Sequence, residues 1–154
     1  MHMESLVIPT DIDRRAPAVV RIERTIAASP ERLWQLQTDV ADWPRWQKDI
    51  ATAALTGSFA AGSSFTWRTA GLDTPIVSTI YAVDAEHTML WGGPSAGIDG
   101  IHRWTFDAAA GGTHVTTEES WAGAAVDANP TEAQRTLTVS LNRWLDFLTT
   151  ASAG

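Results

Sequence analysis

Asn129–Ala151, NPTEAQRTLTVSLNRWLDFLTTA, is the stretch whose reading decides the fold. Asn129 can cap free backbone N–H groups, and Pro130 suits a first helical turn, where its missing N–H costs nothing. Glu132 stands three residues past the cap, where it can reach back to the cap's own N–H. Leu137, Leu141, Trp144, Leu145 and Leu148 then recur at steps of three and four and draw one apolar stripe. Ser140 lies within the stripe and is small enough to allow close approach. A helix of this length spans roughly 30 Å, the width of a small domain. With a single apolar side it needs a broad surface to lie against, and the rest of the chain reads as that surface.

Working outward, the remaining elements are mostly strands. Val19–Ile26 alternates, with Val20, Ile22 and Ile26 on one face and Arg21, Glu23 and Thr25 on the other. Arg24 shares the apolar face by parity. Ser29-Pro30-Glu31 is a helix start, and Val40–Gln47 reads as a second short helix shaped by Trp43-Pro44-Arg45-Trp46. Further strands are expected at 50–56, at Phe65–Trp67 and at 75–84, where both faces are partly apolar and the direction stays open. Thr88–Trp91 reads as a short strand, and Gly92–Gly97 as a loop or turn pair. Ile98–Phe106 and His114–Trp121 are strands joined across Ala109–Gly112 as a hairpin. Ala122–Ala128 reads as a connection to the last helix. Consecutive strands with short links imply an antiparallel sheet, and segregated helices imply an α+β domain. Residues 18–152 are read as that one domain. Residues 1–17, which include His2, are read as a flexible lead-in.

Composition narrows the function. The chain has 154 residues, no cysteine and a formal net charge of -7. Disulfides and cysteine-ligated metals are excluded, and a cytoplasmic location is expected. An acidic chain without a basic run repels nucleic-acid phosphate. No apolar run reaches the length of a membrane span. The histidines stand apart, so no metal site is expected, and no Gly-rich phosphate loop points to a cofactor. Eight tryptophans stand against one tyrosine and four phenylalanines. Indoles serve either to fill a core or to line a cavity for a flat ligand. Trp43, Trp46, Trp67, Trp91 and Trp104 are the candidates for the second role.

The hairpin supplies a candidate polar centre. On one strand His102 shares parity with Ile98, Trp104 and Phe106; on the other, Glu119 and Thr117 share parity with Val115 and Trp121. The turn sets a register of Phe106 opposite Val115, Trp104 opposite Thr117 and His102 opposite Glu119. Directly opposed side chains have Cβ atoms about 4.5–5.5 Å apart. The carboxylate would favour a protonated imidazole, while burial would oppose it. The first strand is expected beside the last, which would bring Arg24 near Thr117 or Glu119.

The element order, Trp43-Pro44-Arg45-Trp46, the run Gly62–Trp67, His102–Phe106 and Gly112–Trp121 resemble the SRPBCC superfamily, and most of all its polyketide cyclase/dehydrase-like branch. The resemblance covers about Val19 to Ala151. It implies the helix-grip fold: a curved antiparallel sheet of six to seven strands around a long C-terminal helix, with two short helices after the first strand and a cavity between. It also implies a small hydrophobic ligand, aromatic or polyketide-like. The branch shares no catalytic set that could be carried over by motif. Two functions follow as expectations. One is an enzyme in which His102 and Glu119 move protons for cyclisation or dehydration, with Trp67, Trp91 and Trp104 holding the substrate. The other is a non-catalytic carrier or sensor of a similar ligand. An interaction protein of the co-chaperone kind would need an exposed apolar patch.

Overall fold

The computed structural model describes residues 7–154. His2 and the start of the expected lead-in lie outside the described residues. Seven strands form one antiparallel sheet: β1 (Ala18–Ile26), β2 (Ile50–Leu55), β3 (Ser64–Thr69), β4 (Ile76–Asp84), β5 (Thr88–Ser95), β6 (Ile98–Ala109) and β7 (Gly112–Ala122). Their spatial order is β1-β7-β6-β5-β4-β3-β2, so the first strand closes beside the last. Helix α1 (Pro30–Thr38), a 3₁₀ turn (Val40–Asp42) and α2 (Trp43–Trp46) follow β1; α3 (Ala124–Ala128) and the long α4 (Pro130–Ser152) follow β7. Register shifts between Ile50 and Thr52 and between Ile80 and Ala82 interrupt the pairing. Such bulges bend a sheet and increase its twist, which helps it curve around a helix.

The cap expected of α4 forms, with the Asn129 side chain accepting from the Glu132 N–H at 3.2 Å. The buried residues of α4 are Leu137, Leu141, Trp144, Leu145 and Leu148, the predicted stripe. Trp144, Leu145 and Leu148 join the cluster of Trp43, Phe65, Trp91, Trp104 and Val115, among others, from α2 and the inner sheet face, while Leu137 and Leu141 pack with Val20 of β1. This is the helix-grip fold.

Four local expectations differ from the structure. The Gly92–Gly97 stretch is not a loop up to Ser95: β5 runs on through it, pairing Gly92 with Ile101 and Gly93 with Gly100. Glycine is needed there, because a Cβ at Gly92 would run into the Gly100 carbonyl. Pro94 is tolerated because it lies past the last β4–β5 pair, Thr79–Gly92, where no partner strand needs its N–H. The connection before α4 holds the short helix α3, whose Val126 is buried. The described end of the lead-in is anchored. Ile12 is buried, the Asp13 N–H donates to Ser120 Oγ (2.9 Å), and the Arg103 guanidinium donates to Asp11 Oδ1 (3.0 Å) and the Thr10 carbonyl (2.9 Å). Finally, Arg24 does not reach Thr117 or Glu119. It lies opposite Val115 and pairs with Asp146 of α4 at 2.6 Å. The sheet edge lets this long side chain turn outward to a carboxylate on the helix.

Candidate functional site

Between α4 and the inner face of β3–β7 lies a cavity of about 480 Å³. Its walls include Trp67, Trp91, Trp121 and Trp144; its polar lining includes His102, Glu119, Ser78 and Ser140. Leu72, Asp73 and Thr74 before β4 and Ser95 and Ala96 at the β5–β6 turn also line it. A larger hollow of about 580 Å³ lies between α1, the 3₁₀ turn and the end of β2. It is more open to solvent, and none of its charged groups, Arg32, Asp39 and Asp42, is buried, so the indole-walled cavity is the candidate site.

The walls are fixed by packing and, except at Trp91, whose indole N–H is buried without a partner, by bonds from their own N–H groups. Trp67 Nε1 donates to Ser78 Oγ (3.0 Å), and Trp144 Nε1 donates to Gln37 Oε1 (2.8 Å). Trp67, Trp91 and Trp144 approach one another with ring centroids 6.1–6.4 Å apart. Trp43 packs against all of them from behind, at 5.5–6.4 Å.

The hairpin register is the one read from the turn: His102 opposes Glu119, and Trp104 opposes Thr117. His102 Nδ1 stands 3.3 Å from Glu119 Oε1. The geometry is too bent for a hydrogen bond, so Nδ1 is buried without a partner. The other ring nitrogen, Nε2, is 2.7 Å from Thr117 Oγ1. Glu119 Oε2 accepts from Trp121 Nε1 at 2.9 Å. The His102 ring lies among the indoles of Trp91, Trp104 and Trp144, with centroids at 4.9, 5.1 and 5.6 Å.

These surroundings decide the charges. Burial among apolar rings pushes His102 down to about 3, so the imidazole is neutral. Burial pushes Glu119 up to about 7, against the lowering effect of the Trp121 N–H. The sequence alone leaves the carboxylate's pull and burial opposed at His102; in the structure burial prevails. The group that titrates near neutrality is the glutamate, not the histidine. Glu119 keeps 17% of its side chain exposed, whereas His102 keeps 1%.

Of the candidates from sequence, Trp67, Trp91, His102 and Glu119 line the cavity. Trp43, Trp104 and Thr117 are fully buried behind it, and Trp46, the last residue of α2, is buried outside its lining. Thr117 supports His102, and Arg24 lies elsewhere. Trp121, Trp144 and Ser140 line the cavity but were not singled out for it. Trp121 was findable, since it sits two residues beyond Glu119 on the same face. Among the described residues, no group of three or more His, Asp or Glu is placed to hold a metal ion, and no helix is long and apolar enough to cross a membrane.

Residues 17–148 match the family model described as polyketide cyclase / dehydrase and lipid transport. No curated protein matches the chain by sequence. Solved structures share its fold. A hypothetical protein from Helicobacter pylori superposes with a TM-score of 0.79 at 16% identity, covering 99% of this chain and 98% of that one. A START superfamily protein from Mycobacterium smegmatis gives 0.74 at 12% identity, covering 88% and 97%. DynU16, a protein of the dynemicin biosynthetic locus, gives 0.68 at 19% identity, covering 86% of this chain and 46% of that chain.

Proposed function

We propose, since the chain belongs to the polyketide cyclase / dehydrase and lipid transport family, that it binds a flat, mostly apolar, aromatic or polyketide-like molecule in the indole-walled cavity and acts on it by acid/base chemistry at Glu119 and His102. One observation carries the reading. A carboxyl group poised near pH 7 and a neutral imidazole with an unpartnered nitrogen lie 3.3 Å apart on the floor of an apolar cavity. A general acid or base works best when its pKa lies near the working pH. Cyclisation and dehydration each need one proton removed and one delivered. An ionised Glu119 can take a proton and, once protonated, deliver one to a carbonyl or departing hydroxyl oxygen, while the neutral His102 can accept a hydrogen bond at Nδ1. Thr117 Oγ1 can donate to or accept from Nε2, so it follows either tautomer of the ring.

A second reading, a non-catalytic carrier or sensor, has its own support. Glu119 Oε2 is already held by Trp121, and Oε1 faces His102, so the pair's polar needs are partly met within the protein. Native mass spectrometry of the protein as purified identifies a co-purifying ligand. That ligand is then offered to the parent and to His102→Gln and Glu119→Gln. Turnover in the parent that is lost in the variants with binding retained is the outcome expected for the enzyme. Binding without turnover in all forms leaves the carrier. Binding undisturbed by filling the cavity, as in Ser140→Trp, would sink both.

A further inference from the structure

We propose that the cavity is a receptor for an aromatic amine, with the ammonium group docked on Glu119 and His102 and the ring against Trp67, Trp91 and Trp144. This rests on the cavity being the ligand site and adds the charge that the ligand carries. The lining includes Asp49, Asp73 and Glu119, and no lysine or arginine. Asp49 is neutralised from outside the cavity by Arg143, bonded to both its carboxylate oxygens at 2.8 and 2.9 Å. Asp73 is exposed. Glu119 lies deep, and among the described residues no lysine or arginine pairs with it; its titratable neighbour is the neutral His102 ring, 3.3 Å away.

A buried carboxylate without a cation is costly. Without a cation beside it, burial favours the protonated carboxyl, and the group is pushed up to about 7. A docked ammonium would take the proton's place. The acceptors on the floor suit it. A carboxylate has lone pairs for about four donors, and Trp121 occupies one of them. His102 Nδ1 is a further buried nitrogen without a partner; in the tautomer with the proton on Nε2 it accepts. An ammonium has three N–H groups to offer, whereas a hydroxyl has one and a carboxylate none. Indole faces are the best aromatic partners for a cation. Approach is left open by Gly100, where a Cβ would stand 3.4 Å from Glu119 Oε2.

The groups facing Glu119 are few. β6 contributes His102, β7 contributes Thr117 and Trp121, β1 opposes it with Val20, and α4 contributes Thr136, Ser140 and Trp144 to the same cavity. Asp49 and Asp73 are the remaining titratable groups of the lining. A bound cation therefore displaces its proton from Glu119 itself.

Isothermal titration at pH 7 with naphthylmethylamine, naphthylmethanol and naphthoate tests this. The amine should bind about tenfold or more tighter than the alcohol, as a charge-assisted bond implies, and the acid weakest. Binding of the amine should release protons, seen as a heat that changes with the buffer's ionisation enthalpy. In Glu119→Gln the amine should fall to the level of the alcohol. Gly100→Val, which shields the carboxylate without removing it, should weaken the amine more than the alcohol. Alcohol binding as tight as amine binding, or an amine preference that survives Glu119→Gln, overturns the assignment while leaving the cavity as the ligand site. If none of the three probes binds, both readings fall.

Discussion

Removing either member of the buried pair should tilt the pH dependence of stability, and in opposite directions. In the folded protein His102 lies near 3 instead of 6.5, and Glu119 near 7 instead of 4.5. Between pH 4.5 and 6.5 the unfolded chain carries its proton on the histidine and the folded chain carries one on the pair. The counts match, so the pair contributes no slope in the parent, whichever member holds the proton. In Glu119→Gln only the histidine is left. Its folded value lies below its unfolded value, so the unfolded chain binds the extra proton and stability rises with pH. In His102→Gln only the carboxyl is left, raised on folding, so the folded chain binds the extra proton and stability falls with pH. Each slope approaches about 1.4 kcal/mol per pH unit. Across the window from 4.5 to 6.5 that is an upper limit of about 2.7 kcal/mol, gained in one variant and lost in the other. Burial is the first cause of both shifts and survives either substitution. Urea denaturation at several pH values, followed by tryptophan fluorescence, gives the profiles, and subtracting the parent removes every other titrating group. Flat difference profiles in both variants would refute the assignment of charges, and slopes of the reversed sign would refute the site's burial.

Leu141→Ala should cost about 2–5 kcal/mol, as truncation of a fully buried leucine does; a melting point within a degree or two of the parent would mean that α4 is not gripped. Gly92→Ala should remove more than about 3 kcal/mol or prevent folding, because its Cβ meets the Gly100 carbonyl across the β5–β6 ladder, and a denaturation curve decides this. Trp121→Phe takes away the N–H that lowers Glu119, so the glutamate's titration, followed by carbon NMR of its carboxyl, should move upward. Arg24→Ala breaks a pair whose Asp146 partner is 67% exposed, so it should cost less than about 1 kcal/mol and leave ligand affinity in calorimetry unchanged.

The fold was legible because its signals are periodic. The α4 stripe, the caps at Ser29 and Asn129 and the alternation on β1, β6 and β7 all state a face and a direction. The places that resisted are those where a local rule is overridden by a neighbour absent from the local sequence. Gly92-Gly93-Pro94 carries the composition of a loop, yet β6 draws it into a strand, and only the crowding at the Gly100 carbonyl shows why glycine stands there. Arg24 has the parity of the core, yet β1 is an edge strand and its long stem lets the guanidinium leave for Asp146. The acidic and basic residues of 11–14 look like a solvated tail until Arg103 and Glu118 are seen waiting on the outer sheet face.

The site divides along the same line. A hairpin register is a local property, so the meeting of His102 and Glu119 could be worked out from turn length and parity. Which of them titrates could not, because that depends on Trp91 from β5 and Trp144 from α4, far away in sequence. The distinction has chemical weight. A histidine near its ordinary pKa would form a closed ion pair with an ionised Glu119 3.3 Å away, leaving no free acceptor for a cationic ligand. A histidine held neutral beside a raised glutamate makes the floor an acceptor whose charge alternates between neutral and negative. The ring-dense packing at Trp104 and Trp144 therefore sets which of the two groups holds the proton, because each indole that excludes water from the imidazole moves the proton toward the carboxyl. Opening that packing with Trp104→Ala, if the fold survives, should restore a titrating histidine that pairs with Glu119 and shrink the cavity's preference for the amine over the alcohol.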